Sequence, residues 1–209
     1  MASQNTIITI ARQYGSGGRE IGTRLSELLG IPCYDKELIA MAAEHGNMDE
    51  RALEHADETS ANSLLYALAM NSSAIGLNGQ FGYNMPINDK LFMLQADVIR
   101  HLAEKGSCVI IGRCADYILR EHTPRVSCFI YADLEARRAR VMERQGIKAG
   151  EAIDRINKTD RKRSSYYNFY TGKKWGRYDN YHLAVDSGLL GVEGTARLIA
   201  DCVRLKQGE

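Results

Sequence analysis

The chain has 209 residues, 44% of them apolar and 25% charged, enough to bury a full core in one domain of ordinary globular composition. Its formal net charge of +1 carries no message about nucleic acid or membranes, so any electrostatic role must come from local clusters. Five cysteines (Cys33, Cys108, Cys114, Cys128, Cys202) form an odd set without a C-x-x-C pair, which argues against a disulfide framework or a zinc site.

In chain order, Thr6–Ala11 is a β-branched run that predicts a buried strand. It leads into Tyr14-Gly-Ser-Gly-Gly18, a turn few residues other than glycine could make. Ile21, Leu25, Leu28 and Leu29 then recur at helical spacing as far as Gly30. Ile31–Tyr34 reads as a second extended piece, and Asp35 is expected to cap a helix ending near His45. From about 47 to 88 the pattern changes to an insertion, with a charged helix at Asp49–Thr59 and a polar loop from Asn71 to Asn88. A helix over Asp89–Glu104 follows, then strands at Ser107–Gly112 and Arg125–Tyr131. Asp133 caps a basic helix from Leu134 to about Gln145. Arg138, Arg140 and Arg144 on it are expected to face solvent or to pair with Asp133, Glu135 and Glu143. A polar, basic and aromatic stretch, Ile147–Tyr181, precedes a last strand at His182–Asp186, whose Asp186 is expected to cap a turn, and a helix at Val192–Arg204. Five short strands alternating with helices predict an α/β fold, a parallel sheet covered on both faces, with ligands outside the carboxyl ends of its strands.

The glycine turn carries the strongest chemical signal. A helix N-terminus presents unpaired N–H groups and a partial positive charge, and glycines let those groups wrap an anion. Gly15, Ser16, Gly17, Gly18, Arg19 and Glu20 are therefore candidate phosphate-binding residues. Against the pattern G-x-x-x-x-G-K-[ST], Gln13 takes the first glycine position, Arg19 the lysine position and Glu20 the hydroxyl position. Arg19 supplies a permanent cation in a planar fork. Glu20 removes the hydroxyl that usually holds Mg²⁺, so a metal here is expected to be held through water or other acids. The competing reading is a tight strand-to-helix turn with no ligand.

Three segments in order resemble the cytidylate kinase-like family of nucleoside monophosphate kinases. The first is Ile8–Gly22, with arginine after the last glycine; the second is Val109-Ile-Ile-Gly-Arg113; the third is Asp160-Arg-Lys-Arg163. The resemblance implies a three-layer P-loop NTPase fold in a single domain, 1–209, with a five-stranded parallel sheet, a helical lid at about 147–181 and a monophosphate-binding insertion at about 47–88. It implies a cytoplasmic kinase that uses ATP with Mg²⁺ and transfers the γ-phosphoryl group to a nucleoside monophosphate of the CMP or dCMP kind. Arg19, Asp160, Arg161 and Arg163 are then the expected catalytic residues, and Asp35, Lys36 and Arg113 the acceptor-binding ones. A basic residue at the place of Arg137 lies by the adenine or the phosphates of ATP in related kinases. This chain departs from the pattern at Met41, where an arginine helps hold the acceptor, and at Cys114, where an aspartate stands.

The departures at Arg19, Glu20, Met41 and Cys114 lean toward a second expectation, a nucleotide-binding regulatory protein without kinase activity. The rings between Tyr166 and Tyr181, interleaved with basic residues, could stack on single-stranded nucleic acid. The near-zero net charge and the i, i+3, i+4 spacing of Tyr166, Phe169 and Tyr170 favour packing instead, against the core or in a homo-oligomer. The five histidines share no metal-ligand spacing. The start has no basic segment followed by a long apolar run, and no apolar stretch nears the roughly 20 residues that span a bilayer, so no membrane contact is expected.

Overall fold

A computed structural model of the chain describes residues 5–48 and 86–208. Strand β1 (Ile7–Arg12) sits at the centre of a parallel sheet with β2 (Cys33–Tyr34), β3 (Cys108–Ile111), β4 (Arg125–Tyr131) and β5 (Leu183–Asp186). The order is β2-β3-β1-β4-β5. The chain visits one side of β1 first and then the other, so the carboxyl end of β1 is the switch point where such sheets bind ligands. The register aligns Ile10 with Ile111 on one side and with Cys128 on the other.

The helices are α1 (Gly18–Leu29), α2 (Glu37–Gly46), α3 (Ile87–Lys105), α4 (Ala115–Ile118), α5 (Leu134–Gln145), α6 (Ala149–Thr171) and α7 (Ser187–Gln207). They cover both faces. Strand side chains alternate between the faces, so Ile7, Cys108 and Ile110 pack with Phe92 and Ile99 of α3 and Tyr166, Tyr167 and Tyr170 of α6. Ile8, Ile10, Val109 and Ile111 pack against Ile21 and Leu25 of α1 and Ala196, Ile199 and Val203 of α7. Cys108 and Cys128 lie in these layers as small apolar groups, and burial pushes the Cys108 thiol up to about 12.

Within the described residues the expected strands and helices are present, with several corrections. Helix α3 begins two residues earlier than expected, just after Pro86. The polar stretch after Gln145 is organised as the 23-residue helix α6, because its aromatic positions at 3.6-residue spacing find a partner face on α3. The last helix starts at Ser187 and carries a non-helical break at Gly191. Asp35 does not cap α2: the N-cap residue is Lys36, and no side chain bonds there. Asp133 does cap α5, accepting from the Ala136 amide at 2.8 Å, and Asp186 accepts from the Gly188 amide at 2.8 Å. The insertion expected at about 47–88 falls almost wholly outside the described residues. Among the described residues no helix is long and apolar enough to cross a membrane.

Candidate functional site

The glycine turn is built by its neighbours. The Gln13 amide extends the ladder by donating to the Ile130 carbonyl at 2.9 Å. The Ser16 amide and hydroxyl both donate back to the Gln13 carbonyl, at 3.3 and 2.9 Å. Ser16 is thus buried and turned inward. Gly17, with φ of 79°, caps α1 in a conformation that costs any other residue strain. Gly18 meets a different demand: a Cβ there would lie 2.5 Å from the Cβ of Arg12. The first intrahelical bond runs from the Ile21 amide to the Gly17 carbonyl, so the amides of Gly18, Arg19 and Glu20 have no acceptor in the helix and can receive an anion.

The back of the turn is held by α5 and α6. Asp160 accepts from the Tyr14 amide at 2.7 Å with Oδ1 and pairs with Arg137 Nη1 at 2.6 Å with Oδ2. Arg137 also reaches the Tyr14 carbonyl, at 3.4 Å, and Arg140 donates to the Gly15 carbonyl at 2.7 Å. Ser187 at the start of α7 donates to the Ser16 carbonyl at 2.6 Å. With these carbonyls engaged from behind, the peptide groups of the turn are kept in one orientation.

In front of the turn opens a cleft of about 720 Å³. Its walls include the turn, Arg12, Arg19, Glu20, Asp35, Lys36, Glu37, Arg113, Arg140, Arg144 and Arg163. Among the described residues, seven of the lining side chains are cationic and three are carboxylates, a charge balance that suits polyanions. Asp35, at the end of β2, is bound by Arg19 (Nε to Oδ2, 2.9 Å) and approached by Arg12 (3.8 Å). Its amide donates to Glu37 Oε2 at 3.0 Å. The amides of Glu37 and Asp35, with Arg19 and Lys36 nearby, hold the Glu37 carboxyl below its usual range. Glu20 forms an ion pair with Arg144 of α5.

Arg113 enters the cleft from the end of β3, where Gly112, Arg113 and Cys114 have φ of 77°, 55° and 55°. Two successive non-glycine residues in the left-handed region are strained backbone of the sort that gathers at functional sites. The turn is pinned by the Gly112 amide donating to the Ile10 carbonyl and the Ala115 amide to the Gly112 carbonyl, each at 3.0 Å. The result is a largely buried guanidinium delivered to the cleft beside the glycine turn. Three residues on from Arg113, Asp116 points away into the protein. It accepts from the Tyr167 hydroxyl at 2.7 Å, and burial pushes its carboxyl up.

The structure thus brings Gly15, Gly17, Gly18, Arg19, Glu20, Asp35, Lys36, Arg113 and Arg163 to one cleft. Arg163 also donates to the Arg12 carbonyl at 3.2 Å. Asp160 shares a helix face with Arg163, as their spacing predicts, but holds the back of the turn. Arg161 is exposed and not on the cleft wall, because one position along α6 turns the side chain about 100° away. Arg140 and Arg144, expected to face solvent or to pair with acids of their own helix, line the cleft instead. Their spacing of four puts both on the α5 face that meets the turn, a signal present in the sequence but readable only once that face was known. Arg12 and Gln13 also line the cleft, although neither is a candidate site residue by sequence.

Residues 7–189 match the sequence model of the cytidylate kinase-like family. The fold is shared with a solved structure of an uncharacterized protein from Eubacterium ventriosum. It is 29% identical with a TM-score of 0.70, and the match covers 95% of this chain and 98% of that one. A shikimate kinase from Bacteroides thetaiotaomicron superposes with a TM-score of 0.52 at 12% identity, over 95% of this chain and 98% of that one, which is a likeness of fold. No curated protein sequence matches the chain.

Proposed function

The chain belongs to the cytidylate kinase-like family, and from that premise we propose that it transfers the γ-phosphoryl group of ATP to a nucleoside monophosphate of the CMP or dCMP kind. One observation carries the reading: the amides of the glycine turn and the guanidinium of Arg113 open onto the same cation-rich cleft. In this reading the donor's β-phosphate lies on the turn with Arg19 beside it, and Arg113 grips the acceptor's phosphate. Arg12 and Lys36 add charge on the acceptor side. Arg163 reaches the cleft from α6, within the lid region of about 147–181. Arg161 would come to the transfer only through a movement of that helix. The insertion at about 47–88 would complete the acceptor site.

An oxygen of the acceptor phosphate attacks the γ-phosphorus, the bond from that phosphorus to the β–γ bridging oxygen breaks, and ADP leaves with the electron pair. A phosphate monoester is mostly ionised at neutral pH, with a second pKa of about 6. The attacking oxygen therefore needs no general base, and among the described residues no histidine lines the cleft. The chain's task is to align two polyanions and spread the charge of the transition state over arginines.

Bound Mg²⁺ would neutralise β- and γ-phosphate oxygens during transfer. Among the described residues no group of three or more His, Cys, Asp or Glu side chains could hold a metal ion alone, so phosphate oxygens and water would supply most of its ligands. The carboxylates of Glu20, Asp35 and Glu37 on the cleft wall fit the remainder.

The test is ADP formation by the purified protein with ATP, Mg²⁺ and a panel of nucleoside monophosphates, nucleosides and small alcohols. The reading expects turnover with a monophosphate, lowered about 10²-fold or more when a transition-state cation is removed in Arg113→Ala. No ADP above the rate of an Arg19→Ala control sinks it. Nucleotide binding without turnover is favoured by a separate observation, that Arg19 and Glu20 are both held in ion pairs. A thermal shift with ATP and no ADP from any acceptor selects that alternative.

A further inference from the structure

The turn carries a carboxylate where the usual pattern has a hydroxyl, and the surroundings of that carboxylate are informative. Glu20 lies in the first turn of α1, next to the amides that face the cleft. One oxygen pairs with Arg144; the other, Oε2, is shielded from water and has no hydrogen-bond partner among the described residues. A shielded carboxylate oxygen without a donor is costly. A carboxylate beside bound polyphosphate also repels it, and in a partly desolvated cleft that repulsion is much stronger than in water.

The other oxygen donors nearby are engaged. The Ser16 hydroxyl donates to the Gln13 carbonyl, Asp35 is paired with Arg19, and Glu37 accepts from the Asp35 amide. Arg144 can release Glu20, since its side chain is 53% exposed and on a flexible stem. A hard divalent cation takes carboxylate and phosphate oxygens together, so it would satisfy Glu20 and cancel the repulsion at once.

We infer that Glu20 is a direct protein ligand of the divalent cation that accompanies the donor nucleotide, and that Arg144 is its counter-charge when no cation is present. The inference rests on the donor-site reading above. As the nucleotide and cation enter, Arg144 leaves Glu20 for the phosphate oxygens. The turn then stores its own positive partner for a carboxylate that would otherwise oppose binding.

The test measures the affinity of a non-hydrolysable ATP analogue by calorimetry, with Mn²⁺ and with chelator, in the full chain. The quantity read is the gain in affinity that Mn²⁺ provides. Glu20→Gln, nearly isosteric and partly exposed, should lower that gain at least about tenfold, the scale of losing a group that supports a metal. Its metal-free binding should stay equal or tighten. Arg144→Ala should enlarge the gain, because metal-free binding suffers from an uncompensated Glu20. An unchanged gain in Glu20→Gln overturns the inference while leaving the donor site standing. Wild-type protein that binds the analogue under neither condition overturns both.

Discussion

Asp160 uses both carboxylate oxygens, one on the Tyr14 amide and one on Arg137. The resemblance marks it as catalytic; the geometry gives it a positioning task, since it touches the back of the turn and not the cleft wall. The two roles predict different outcomes for Asp160→Asn. The amide oxygen can still accept from Tyr14, but Arg137 is left mostly buried without its counter-charge. Urea denaturation should show a loss of about 3 kcal/mol, the low end for breaking a buried ion pair. Affinity for an ATP analogue should fall with it as the turn loosens. A variant that keeps its stability and its affinity but loses kcat would restore the catalytic assignment. Gly18 shows the same dependence on neighbours, because its demand for a hydrogen side chain comes from the stem of Arg12 and not from its own φ.

At the scale of elements, α6 does two jobs along its length. Its middle presents Asp160 and Arg163 to the turn. Its second half is fastened to the body: Tyr170 stacks on Phe92 with ring centroids 4.1 Å apart and donates to Asp89 at 2.7 Å, while Tyr167 donates to Asp116 at 2.7 Å. Burial pushes both carboxyls up. An acid whose folded value lies above its unfolded one binds more protons when folded, so its contribution to stability falls as pH rises from its ordinary value of 3.8 through the raised one. Asp116→Asn keeps an acceptor for Tyr167 and removes that titration. The variant's melting temperature should decline less than the wild type's as pH rises from about 4. Parallel pH profiles of the two proteins would remove Asp116 from the account.

For the whole molecule, the contrast is between a nearly neutral chain and a strongly charged cleft. The net charge is +1, yet among the described residues the cleft is lined by seven cationic side chains against three carboxylates. In the proposed kinase reading, attraction of anionic substrates is a property of the cleft mouth, partly exposed and open to screening. Raising KCl from about 0.05 to 0.5 M shortens the Debye length roughly threefold. KM for ATP and for the acceptor should climb over that range, while the melting temperature, set mainly by the two apolar layers, changes little. A salt-independent KM would mean that the arginines are neutralised within the protein and do not draw substrate.

The sequence by itself determined the fold class, four of the strands nearly to the residue, the glycine turn between β1 and α1 and the family, because each is written in local pattern. Alternation and apolar runs set strands, 3.6-residue spacing sets helices, and glycines next to a buried strand mark a turn whose amides are open. The resemblance, and not the local pattern, singled out Arg113, and the structure brings it to the cleft from the turn after β3. What only the tertiary structure decided is which of many arginines matter and what the acids do. Arg161 and Arg163 differ by two positions in a basic run, and only the seating of α6 sends one to the cleft and the other to solvent. Arg140 and Arg144 became cleft residues because α5 packs its arginine face on the turn, and Asp35 became a partner of Arg19 because β2 ends beside α1. Charge is long-ranged and indifferent to sequence order, so its partners are settled by packing, after the apolar layers have set where each helix lies.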